Sequence, residues 1–69
     1  MNVERVFTYH APNEQQQLQY EAIREAAKNL AQVIIQNTPA CADQSAALRK
    51  VREAVMTANA SIALDGTLD

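Results

Sequence analysis

Few residues in this chain can do chemistry, and their spacing argues for binding rather than catalysis. His10 is the one histidine and Cys41 the one cysteine. His10 has no Ser or Cys nearby in sequence, and Cys41 falls in a predicted turn with no obvious base. One His and one distant Cys do not make a metal-site spacing. A single glycine rules out a Gly-rich phosphate loop. Glu21 and Glu25 are the only paired carboxylates, one helical turn apart, and with Arg24 and Lys28 they make i,i+3 pairs. No set supports general acid–base or metal chemistry, so the chain reads as a non-enzyme that needs no cofactor.

The cations allow something else. Arg24 and Lys28 stand one turn apart on one helix face, and Tyr9 is tethered just before that helix. A planar aromatic with a guanidinium suits base stacking and phosphate binding. Arg5 lies in the same arm. Arg49, Lys50 and Arg52 add cations on a second helix. Asn59, beside the Val55/Ile62 seam, either fixes register across an interface, as buried Asn does in coiled coils, or touches a ligand base. The plainer reading of the Glu/Arg/Lys face is a solvated, salt-bridged surface. On that reading the chain is a helical oligomerisation or adaptor protein with no small ligand.

The elements that must position these residues are two helices and an arm. Residues 1–12 hold the β-branched and aromatic run Val6-Phe7-Thr8-Tyr9 and read as an extended N-terminal arm. Residues 13–66 read as a helical hairpin. Asn13 is a good N-cap, with Gln16 at N3 in a variant of the capping box. Helix one runs from about 13 to 36. Leu18, Ala22, Ala26, Leu30 and Val33 make one apolar stripe on it; Ile23, Ala27, Leu30 and Ile34 make an adjoining one. Two stripes are more than a hairpin needs. Pro39 biases Thr38 out of the helical region and marks the turn. Helix two runs from about 43 to 64, capped by Cys41 or Asp43. Leu48, Val51, Val55, Ala58 and Ile62 give it the 3-4 spacing of a coiled-coil seam. Gly66 is a natural residue to end it. So short a connector makes the helices antiparallel. The fold class is all-α.

Composition then demands partners. In 69 residues, aromatics are 4% and Trp is absent, so core-filling volume is scarce. Small domains escape this through disulfides, metal or oligomerisation, and only the last is open here. The Ala-rich faces of helix two suit close packing against a second hairpin. The net charge of −2 argues against broad binding to nucleic-acid polymers, but not against a small anion held by a few placed cations. No apolar run approaches the roughly 18 residues of a membrane span. With no signal-peptide pattern and one free thiol, a soluble cytoplasmic protein is expected.

Three blocks carry a resemblance that covers nearly the whole chain. They are Tyr9-His10-Ala11-Pro12, then Tyr20-Glu21-Ala22-Ile23-Arg24, then Arg52-Glu53-Ala54-Val55-Met56-Thr57-Ala58-Asn59-Ala60-Ser61-Ile62-Ala63. The pattern resembles the phage anti-CBASS cyclic-nucleotide sponges, a family of small helical hairpins that shares its hairpin with a Thoeris-countering sponge. The resemblance implies a homohexamer of hairpins in the host bacterial cytoplasm. It implies that cyclic dinucleotides such as cyclic GMP-AMP are held between two protomers without cleavage. It further implies cyclic trinucleotides at a separate three-fold site in some members. Tyr9 matches the Tyr that stacks on a base, and Arg24 stands where the family's phosphate-binding basic residue, often Lys, is found. His10 and Lys28 accompany them as ligand-binding candidates. Arg49 and Arg52 are candidates because they are cations on helix two. Thr57 departs from the pattern, which often has Trp there.

Overall fold

The computed structural model describes residues 2–65. It contains a short helix α1 (Val3–Phe7) and two long helices, α2 (Glu14–Asn37) and α3 (Ala42–Ala63). The long helices pack against each other in an antiparallel hairpin. Gln16, in the first turn of α2, reaches the carbonyl of Ile62 near the end of α3, while Thr38 and Gln44 bond to each other at the turn.

Each end of the hairpin is fixed by local chemistry. Asn13 and Gln16 form the full reciprocal capping box, Asn13 Oδ1 accepting from Gln16 N at 2.8 Å and Gln16 Oε1 from Asn13 N at 3.0 Å. Two donors that the helix start would otherwise orphan are thereby satisfied. At the other end Thr38 is extended, as the following proline requires. Its hydroxyl turns back to donate to Ile34 O at 2.7 Å, and Asn37 Nδ2 donates to Val33 O at 2.8 Å. Cys41 is the N-cap of α3 but makes no side-chain cap bond. Asp43 sits two residues further on, in the first turn, where a carboxylate favours the helix dipole.

The seam predicted on the second helix forms: Leu48, Val51, Val55, Ala58 and Ile62 are all half-buried. From α2 it meets Ile23, Ala27, Ala31 and Ile34, also half-buried. Leu30 does not join this inner row; it is 49% exposed. It belongs with the outer stripe, where Leu18 is 67% and Val33 43% exposed. Two faces of α2 are therefore apolar, and the hairpin covers one. Leu64, at 5% exposure, is the single buried hydrophobic residue among those described. The Cα radius of gyration is 14.8 Å, against about 11 Å for a compact domain of this length. A two-helix layer this thin cannot surround a core of its own.

The arm differs from the expectation of an extended path over residues 1–12. Val3–Phe7 form one and a half turns of helix, and the extended path starts only at Thr8. The reason is local. Asn2 Oδ1 caps Arg5 N at 3.0 Å, Val6 N donates to Asn2 O at 3.0 Å, Glu4 lies in the first turn, and the Thr8 hydroxyl donates to Glu4 O. A β-branched run without a strand beside it leaves its backbone groups unpaired, so capping outweighs β propensity. At the far end, Asp65 takes the left-handed conformation with φ 52°, one that Asp tolerates better than most residues. Gly66, expected in the terminating role, lies outside the described residues.

Candidate ligand-binding site

The arm is held to the hairpin through one end of α3. The last turn of α3 contains no basic residue, and the amides of Leu64 and Asp65 close onto the carbonyls of Ala60 and Ile62. Side chains from elsewhere supply donors. Gln16 Nε2 donates to Ile62 O at 3.1 Å, and Arg5 Nη2 donates to Leu64 O at 2.8 Å. The Arg5 guanidinium thus puts positive charge at the negative end of the α3 dipole. The arm is tied again behind Tyr9: His10 Nε2 donates to the Arg5 carbonyl at 2.7 Å. A carbonyl only accepts, so Nε2 carries a proton in this arrangement.

Between the anchored arm and the open end of the hairpin lies a cleft of about 600 Å³. Tyr9, His10 and Pro12 line it from the arm, Tyr20 and Arg24 from α2, and Asn59, Ala63 and Leu64 from α3. Tyr9 is 83% exposed, and the side chains of its neighbours Thr8 and His10 are tied to Glu4 and Arg5 on either side of it. Arg24 is exposed at the rim. The cleft offers an aromatic face, a guanidinium and apolar walls of small residues. These suit a flat ring bearing an anionic group.

The sequence-predicted site residues divide between two places. Tyr9, His10 and Arg24 come together in this cleft. Lys28 and Arg52 do not enter it. They join Arg24 along a second groove floored by Ile35, Leu48, Val55 and Met56. Arg24 is the rim between the two. Arg49 lines neither and is exposed. Arg5, which seemed one more cation for a ligand, is committed to Leu64.

Tyr20 and Asn59 are cleft residues that site reasoning from the sequence missed or left open. Tyr20 stands one turn before Arg24 on α2, and that i,i+4 spacing was the available signal. Its hydroxyl lies 3.5 Å from the Asn59 carbonyl, a long contact. Asn59 is half-buried, and its Oδ1 is buried without a hydrogen-bond partner.

No three metal-ligating side chains come together among the described residues. No helix among them is long and apolar enough to cross a membrane. Fold and cleft together describe a small all-α hairpin with an N-terminal helix folded onto its open end. The chain belongs to the Acb2/Tad1 hairpin-domain family, whose model (Acb2/Tad1, hairpin domain) matches residues 1–63. That is the family of anti-CBASS and anti-Thoeris nucleotide sponges. No curated protein sequence and no solved structure matches the chain.

Proposed function

We propose that this protein sequesters cyclic oligonucleotide second messengers without cleaving them, and so keeps CBASS effectors from being activated during phage infection. The observation that carries this reading is the cleft that joins Tyr9 to Arg24. In a cyclic dinucleotide such as cyclic GMP-AMP, Tyr9 stacks on a base and Arg24 takes a phosphate. Base–aromatic stacking contributes about 1–3 kcal/mol, and Arg binds phosphate through a fork that Lys lacks.

One hairpin supplies only half of such a site. A cyclic dinucleotide is close to two-fold symmetric, and a two-fold pair of protomers presents Tyr9 and Arg24 twice. The outer stripe of Leu18, Leu30 and Val33 is the surface that brings a second copy, and the assembly is a homo-oligomer, a hexamer by family resemblance. Cyclic trinucleotides occupy a separate site, for which Lys28 and Arg52 in the second groove are the candidates; Arg49, which lines neither place, drops out.

The test is thermal. A ligand that binds only the folded state raises the melting temperature by mass action, by about 2.7 kcal/mol of stability at a hundred times Kd. Cyclic GMP-AMP is expected to raise the Tm by several degrees, with intact nucleotide recovered after heat denaturation. No shift across a panel of cyclic di- and trinucleotides sinks the sponge reading and leaves a ligand-free helical adaptor. Recovery of linear nucleotide points instead to a nuclease.

A further inference from the structure

We infer that Arg5 is a positioning residue for the cleft: it caps α3 from outside that helix and thereby presets the arm that carries Tyr9. Three polar atoms of this residue are held by other parts of the chain. Its amide is held by Asn2, its carbonyl accepts from His10, and its guanidinium donates to Leu64 O, fifty-nine residues away in sequence. Within the guanidinium, Nε is buried without a partner. The acceptor of Nη2 is the carbonyl of the most buried residue described, Leu64, just past the end of a helix that has no basic residue of its own in its last turn. The guanidinium therefore adds a donor and a positive charge at the negative end of the helix, on the carbonyl just past those that the Leu64 and Asp65 amides close.

The consequence falls on Tyr9. The extended segment that carries it runs between Thr8, whose hydroxyl is tied to Glu4, and His10, whose ring is tied to Arg5. Both ties lead back to α1, and Arg5 fastens α1 to the hairpin by its bond to Leu64. Release Arg5 and the arm loses this anchor, leaving its five-residue helix to fray. Tyr9 then spends only part of its time over the cleft, and apparent affinity falls by that fraction. Arg5 acts through Tyr9 and does not itself touch the ligand.

The experiment has two arms. The first needs no ligand: amide hydrogen exchange on the free protein, wild type against Arg5→Ala and Arg5→Lys. Exchange in Arg5→Ala should rise about ten-fold at Val6, Phe7 and Leu64 while the interior of α2, from Ile23 to Ile34, stays protected. Arg5→Lys, which keeps a charged donor, should fall between. The second arm is calorimetry with cyclic GMP-AMP and rests on the sponge reading. Arg5→Ala should bind about ten-fold more weakly, and Arg5→Lys should recover part of the loss.

Weakened binding with unchanged exchange makes Arg5 a direct ligand contact and overturns the inference. Raised exchange with wild-type affinity overturns it too. If wild-type protein binds no cyclic nucleotide, the sponge reading falls and the exchange arm alone decides the anchor. Should Arg5→Ala fail to fold, Arg5→Lys carries both measurements.

Discussion

The side-chain amide of Gln16 donates to the carbonyl of Ile62 at 3.1 Å, fastening the first turn of α2 to the last turn of α3. The same side chain accepts from Asn13 N to complete the capping box. One residue thus closes a helix start and the open end of the hairpin, next to the cleft. Gln16→Ala removes both bonds, a loss of about 1–2 kcal/mol per hairpin. At fixed protein concentration the melting midpoint should fall by several degrees. Gln16→Glu keeps the acceptor for Asn13 and loses only the donor to Ile62, so it should fall between. Circular dichroism melts of the three proteins check this; a wild-type midpoint for Gln16→Ala means the tether adds nothing.

Tyr9 and Arg24 reach one cleft from different elements, so their substitution should injure binding while sparing the helices. Tyr9→Ala should weaken cyclic GMP-AMP binding about 5- to 150-fold, the value of one stacked base. Tyr9→Phe keeps the ring face and should bind nearly as wild type. Arg24→Ala should lose a charge-assisted phosphate contact of about 1.5–3 kcal/mol, and Arg24→Lys should keep part of it. Calorimetry gives the affinities and light scattering the mass. Normal binding by either alanine variant means the ligand does not use this cleft.

What the sequence made legible was whatever depends on neighbours along the chain. Helical spacing disclosed the seam through Val51 and Val55, and Asn13, Gln16 and Pro39 marked where helices start and stop. The double stripe on α2 was visible too, because Leu18 and Val33 repeat at helical intervals whether or not anything covers them. The arm was misread for the opposite reason. The β-branched run at Val6 to Tyr9 is a weak, context-dependent signal, and Asn2 with Glu4 offered the backbone a nearer solution in a short helix. The Arg5 to Leu64 bond had no local signature, since it joins the two ends of the described chain. Tyr9 and Arg24 could be nominated from residue type and family pattern, but only the folded arm puts them in one cleft and leaves Lys28 and Arg52 in another.

The outer stripe yields a prediction about mass. Leu18 and Leu30 are exposed on the hairpin, so replacing them should leave the fold of one hairpin locally undisturbed. If the stripe joins copies, a charge there is buried unpaired in every interface, and such burial costs several kcal/mol per site. Wild-type protein should scatter light as an oligomer at micromolar concentration, and the double variant Leu18→Asp, Leu30→Asp should scatter as a smaller species with a lower melting midpoint. A wild-type monomer at that concentration contradicts the assembly, and an unchanged mass for the variant moves the interface elsewhere.

The second groove separates two ligand classes. Lys28 and Arg52 meet Arg24 there but stay out of the Tyr9 cleft. If that groove holds cyclic trinucleotides, Lys28→Ala and Arg52→Ala should each weaken trinucleotide binding about ten-fold or more, the value of one charge-assisted phosphate contact. Binding of cyclic GMP-AMP should change little, because neither side chain lines its cleft. Arg49→Ala should leave both ligands bound as in wild type, since Arg49 lines neither place. Calorimetric titration of trinucleotide into protein already saturated with cyclic GMP-AMP reads the two sites together. Undiminished heat of trinucleotide binding shows separate sites. Competition between the ligands means both use the Tyr9 cleft, and Lys28 and Arg52 are then ordinary surface cations.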